Sequence, residues 1–176
     1  EVSAQVGRAL TEELTKTTLP RLAGKLQEGL DALKGFVPAA IGLWAFGNVE
    51  WGVAAGAGAF LGHLFPIWHG LRGGKGVATL SGALLALAPW AVLAAGLALF
   101  ATILLTRMMS AGSLCFAVVL GPAAWALDAT RPVMLFAALG GLALVFTHRD
   151  NLRRIRAGRE SRIGDKRPDP KSPDPQ

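Results

Sequence analysis

The chain has no tyrosine and a single cysteine. One thiol, Cys115, excludes an internal disulfide, and in its apolar setting it reads as a small buried hydrophobe. Charge is nearly missing from the middle. From Phe36 to His148 the only Lys, Arg, Asp or Glu residues are Glu50, Arg72, Lys75, Arg107, Asp128 and Arg131. A soluble core this apolar would leave too few polar side chains to cover its own surface. A metal-ligand set is lacking too: His63 and His69 stand six apart with no acidic residue near, so neither metal nor cofactor is expected. The start of the chain lacks the basic segment and apolar run of a signal peptide.

What is present is hydrophobic: 52% of the residues, a mean hydropathy of +0.41 and 22 glycines, arranged in closely spaced apolar blocks. Such blocks predict an all-α fold, a polytopic transmembrane helical bundle of about six spans. The first is expected over residues 36–47, reaching back towards Leu30, and is short beside the roughly 20 residues of a full crossing. The others are expected at 51–68, 79–88, 90–106, 111–127 and 132–147. Glycines 52, 56, 58 and 62 would let the second span pack closely. The short 79–88 segment could re-enter, but crossing gathers Lys34, Arg72, Lys75, Arg107 and the tail on one side, as the positive-inside rule favours. Glu50, Pro89, Asp128 and Arg131 then face the other side. Trp44, Trp51, Trp68, Trp90 and Trp125 fall mostly near span ends.

The expected organisation is a polar segment over 1–19, the bundle over 20–148, an Arg-rich continuation of the last span over 149–167 and a disordered tail over 168–176. The net charge of +6 is concentrated towards the C-terminus. Beside several spans this predicts contact with membrane lipid and not with nucleic acid.

Two stretches carry chemistry. The first is Gly62-His63-Leu64-Phe65-Pro66 followed by Arg72-Gly73-Gly74-Lys75-Gly76-Val77-Ala78-Thr79. Successive exposed N–H groups in a glycine loop make a concave anion site, a Lys adds full charge, and a helix starting near Thr79 adds its dipole. It is not a Walker A loop, because Gly76 follows Lys75 and His69 stands where the first Gly belongs. A plain glycine turn with snorkelling cations would have the same shape. The second stretch is His148-Arg149-Asp150-Asn151, in which His148 and Asn151 share a helix face. These two could hold a hydroxyl and a phosphate oxygen; an interfacial His and a helix-end Asn is the bland alternative. Glu160 lies among Arg153, Arg154, Arg156, Arg159 and Arg162, as a solvated pair or as their organiser.

Together these blocks resemble the bacterial acyl-phosphate:glycerol-3-phosphate acyltransferase family of integral membrane enzymes. The matching pieces are Asp31-Ala32-Leu33-Lys34-Gly35, both halves of the central loop, Thr106-Arg107 with Ser110 and Ser113, and His148-Arg149-Asp150-Asn151-Leu152-Arg153-Arg154 with Gly158 and Glu160. They run in family order over about Leu22 to Glu160. The resemblance implies transfer of a fatty acyl group from acyl-phosphate to the 1-hydroxyl of sn-glycerol 3-phosphate, giving lysophosphatidate and phosphate. It implies a bacterial cytoplasmic (inner) membrane location with the active site facing the cytoplasm. It also implies that Gly73, Gly74, Lys75, Gly76 and Thr79 bind phosphate and that His148 and Asn151 are catalytic, with Lys34, Arg107, Ser110 and Glu160 supporting. The family usually has seven helices and an earlier loop of the type Gly-Ser-Gly-Asn-x-Gly-Ala-Thr-Asn followed by an Arg; residues 1–21 show neither loop nor span. A truncated or inactive relative that binds phosphate-bearing lipid, or a small transporter, are the competing expectations.

Overall fold

The structure is a computed structural model that describes residues 11–67, 70 and 73–165. Expectations that fall on residues 1–10, on Trp68, His69 and Arg72, and on the tail over 168–176 lie outside it. Among the described residues the chain is helical and has no strand. The helices are α1 (Leu19–Phe46), α2 (Val49–Leu64), α3 (Val77–Leu87), α4 (Pro89–Thr106), α5 (Met109–Ala126), α6 (Arg131–Thr147) and α7 (Arg149–Arg156). A π-helical turn, Leu14–Thr18, leads into α1.

Local chemistry sets these boundaries. Proline opens α4 and occupies the first turns of α1 and α6, where its missing N–H costs no helix bond. Left-handed Gly47 (φ 61°) ends α1, and the Asn48 side chain then accepts from Glu50 N at 2.7 Å to cap α2. Gly76 (φ 86°) turns the chain into α3, and Arg107 (φ 59°) turns it out of α4.

The first span begins much earlier than expected. Helix runs unbroken from Thr11 to Phe46, through Pro38, so the polar stretch and the apolar stretch are one element. Hydropathy marks where side chains become apolar; it does not mark where backbone bonding starts. The last span also departs from expectation. The Arg-rich segment does not continue α6 straight, because α7 is bent from it by 58°.

By length and composition, Thr11–Phe46, α4 and α5 can each cross a membrane, and α6 with α7 makes a bent fourth candidate. α2 and α3 are shorter, with 16 and 11 residues. The shorter α3 lies at the centre, burying Thr79, Leu80, Gly82, Ala83 and Leu84. It packs most closely on α1: a Cβ on Gly35 would collide with the Thr79 carbonyl, and one on Gly82 with the Ala32 carbonyl. Small residues therefore face inward, while Leu97, Phe100, Leu104 and Leu105 of α4 point outward. That inversion is expected where the surrounding solvent is hydrocarbon.

Alternate helix ends gather at opposite poles. Asn48, Ala88 and Asp128 mark one pole, where Trp44, Trp51, Trp90 and Trp125 are 70%, 59%, 69% and 71% exposed, as an interfacial belt requires. The glycine loop, Arg107 and α7 mark the other. Among the described residues Arg131 is the only Lys or Arg at the tryptophan pole.

Candidate functional site

The candidate site is built where the α2–α3 loop meets the end of α6. Gly73 and Gly74 lie flat against His63, since a Cβ on the first would strike the His63 carbonyl and one on the second its imidazole. This close contact aims the loop across the bundle. The Lys75 ammonium donates to Asn151 Oδ1 at 2.7 Å, although 76 residues separate the two. The Thr147 hydroxyl, at the end of α6, contacts the Lys75 carbonyl at 3.0 Å and so ties down the same residue by its backbone.

From Asn151 the network continues. Asn151 Nδ2 donates to Glu160 Oε1 at 2.8 Å, and Arg154 Nε donates to Glu160 Oε2 at 2.7 Å. The Glu160 side chain is buried, only 6% exposed, so it is not the solvated pair that a charge-rich sequence suggests. Burial alone would raise its carboxyl pKa. The nearby Ser110 hydroxyl, Arg154 and Asn151 outweigh that and hold it at about 2. Glu160 thus fixes the orientation of the Asn151 amide: its NH₂ faces the carboxylate and its oxygen is left for Lys75. Ser110 Oγ faces the carboxylate but closes no hydrogen bond of good geometry.

His148 follows the last span and is 2% exposed. Its Nδ1 lies 2.8 Å from the Leu144 carbonyl, and a carbonyl only accepts, so Nδ1 carries the proton. In the neutral ring the lone pair is therefore on Nε2. Burial lowers the imidazole pKa below its ordinary value and the Lys75 charge adds to this; the Leu144 bond and the Glu160 carboxylate act the other way.

These residues line a cleft of about 640 Å³ with Gly74, Lys75, Gly76, Val77 and Ala78 of the loop and α3 start, Met109, Ser110 and Ser113 of α5, and the 160–163 strap beyond α7. Two helix N-termini, of α3 and α5, open onto it, so backbone N–H groups and both dipoles favour an anion there.

Not every residue singled out from the sequence is in this cleft. Thr79 is fully buried in the contact with α1, and its hydroxyl meets no partner. Lys34 bonds Asp31 at 2.9 Å and lines a neighbouring cleft of about 660 Å³. Gly73 lines that neighbouring cleft, and Gly74 lines both. Arg107 anchors the strap: Ile163 N donates to its carbonyl at 2.7 Å, and its guanidinium donates to the Ile163 carbonyl at 2.5 Å. Sequence reasoning missed Thr147, whose role depends on a carbonyl 72 residues away, and gave no role to the Asp31–His63 pair (3.6 Å) that forms the wall between the clefts. The block that contains Asp31 was the available signal.

Fold and site together define a polytopic helical membrane protein with a basic, anion-ready cleft at one end of the bundle. A sequence model for glycerol-3-phosphate acyltransferase matches residues 15–158. The chain belongs to that family. It is 46% identical over 138 residues to the glycerol-3-phosphate acyltransferase of Sinorhizobium medicae and 45% over 139 residues to that of Agrobacterium fabrum. Each alignment covers 78% of this chain and 66% of the relative, so the chain spans about two thirds of the length of these curated proteins. Among solved structures, the glycerol 3-phosphate form of PlsY (YgiH), an integral membrane glycerol 3-phosphate acyltransferase, superposes with a TM-score of 0.78 at 32% identity, covering 84% of this chain and 74% of that one. Its lysophosphatidic acid form gives the same score and identity, with 86% and 78% covered.

Proposed function

We propose that this chain transfers a fatty acyl group from acyl-phosphate to the 1-hydroxyl of sn-glycerol 3-phosphate. The observation that carries the reading is the Lys75–Asn151 bond, which joins the glycine loop to the His148 helix end around one cleft. Family membership and the two ligand forms of PlsY support it.

Both reactants are anionic, so bringing them together is the first electrostatic problem. Lys75 and the N-termini of α3 and α5 offset that repulsion and stabilise the charge that builds on the leaving phosphate. The acceptor oxygen attacks the acyl carbonyl carbon, the carbon–oxygen bond to phosphate breaks, and phosphate leaves with the electron pair. His148 Nε2 takes the hydroxyl proton. Acyl-phosphate is already activated, so no covalent enzyme intermediate is needed and orientation supplies much of the acceleration. We place the cleft at the cytoplasmic face of a bacterial inner membrane, because the basic residues gather at that pole.

The test is an assay in reconstituted vesicles with a long-chain acyl-phosphate and labelled glycerol 3-phosphate. Lysophosphatidate and phosphate should appear in equal amounts, and Lys75→Ala should lower kcat/KM about a hundredfold while the protein still inserts. No product, or unchanged kinetics in that variant, overturns the reading.

A further inference from the structure

The outward face of α6 carries Leu135, Leu139, Leu142 and Phe146, each 60–67% exposed. Their spacing of four, three and four residues draws one stripe along the helix. Beyond the break at His148 the same rhythm continues as Arg149, Arg153 and Arg156, all exposed. The helical phase survives the bend. Leu152 N bonds the His148 carbonyl at 2.9 Å, and the Arg149 guanidinium lies 4.7 Å from the centre of the Phe146 ring. A lipid-facing stripe therefore changes from apolar to cationic at one level, while a 58° bend tilts its cationic part away from the axis of the span. Against the three arginines this helix sets one acid, the exposed Asp150, which pairs with Arg153 at 3.3 Å.

We infer that the Arg149–Arg153–Arg156 face is a binding surface for anionic phospholipid headgroups of the surrounding bilayer. Continuity with the apolar stripe puts the guanidinium groups where acyl chains give way to phosphates. Guanidinium suits that partner, since its planar fork pairs with phosphate oxygens two at a time. The inner face of α7 carries Asn151, 5% exposed and bonded to Lys75. Lipid on the outer face thus holds the helix that supplies the cleft with its amide, Asn151 lying two residues from Arg149 and two from Arg153.

The experiment reads backbone amide exchange of α7 in the full chain, in nanodiscs of phosphatidylcholine alone and of phosphatidylcholine with a third replaced by phosphatidylglycerol. Exchange over residues 149–156 should slow about tenfold in the anionic discs, and molar salt should erase the difference. The triple variant R149Q/R153Q/R156Q should lose the lipid effect, whereas R149K/R153K/R156K should keep most of it, which separates charge from packing. Equal exchange in the two lipids overturns the inference, as does a lipid effect that survives in the glutamine variant. Inorganic phosphate reproducing the slowing in neutral discs also overturns it, since the face would then be a general anion site. Turnover plays no part in the readout, so absent acyl transfer would sink the proposed function and leave this result standing.

Discussion

At the scale of single residues, the cleft depends on hydrogen bonds between groups far apart in sequence. Thr147 is the cleanest to remove. Thr147→Val keeps the shape and deletes the hydroxyl that reaches the Lys75 carbonyl. That hydroxyl is shared with the Leu144 carbonyl, also at 3.0 Å, and loss of about one hydrogen bond should cut kcat/KM several-fold, up to roughly tenfold. Thr147→Ser should retain most activity, and equal losses in both variants would assign the effect to packing. His148 gives a prediction in pH. Its folded pKa lies below the ordinary 6.5, so the unfolded chain takes up the proton first as pH falls. Its contribution to stability is complete above 6.5 and is lost as pH drops through the folded value. The acid limb of kcat/KM should accordingly lie below the ordinary imidazole range, and His148→Gln should abolish that limb. The glycine loop, Lys75, His148 and Asn151 stood out in the sequence because they interrupt or end apolar runs, although each also has an ordinary use at a span end. Thr147 did not, because a threonine closing an apolar run has many such uses. Glu160 was legible as a position and misleading as an environment, since the burial that sets its role comes from α5 and α7 closing around it.

At the scale of helices, the site is positioned by the crossing of α1 and α3, where Gly35 and Gly82 admit backbone against backbone. Gly82→Ala should lower the apparent unfolding temperature in detergent by several degrees, because the Ala32 carbonyl cannot give way as a side-chain tip could. Gly58→Ala, on the open side of α2 with nothing within 4 Å, should leave it unchanged or slightly raised. Equal effects would mean that the crossing does not control stability. The number and order of apolar helices could be read from hydropathy alone. Their lengths followed less directly: Pro20 marks a helix start in the charged sequence, but that helix and the apolar span over 36–47 prove to be the single element α1, which carries Lys25, Glu28 and Lys34 where they reach water. The bend at His148 was also hidden, since no Pro or Gly lies between Leu142 and Ala157 to mark it.

At the scale of the whole molecule, the poles differ in charge and in tryptophan, and that difference predicts orientation. With Cys115 replaced by Ser, single cysteines at Arg159 and Arg162 should react with a membrane-impermeant maleimide only after the cytoplasmic side is exposed. Cysteines at Glu50 and Asp128 should react from outside intact cells. Labelling of both sets from the same side would contradict the alternating path of the helices. The strap from Gly158 to Gly164 crosses the mouth of the cleft and is fastened twice at Arg107, once through main-chain atoms alone. Main-chain fastening ignores what side chain residue 163 carries, so that position is free to drift while its mooring persists. A rim set in this way works as a handrail: its path is held by the backbone of Ile163 and Arg107, whatever side chain residue 163 carries.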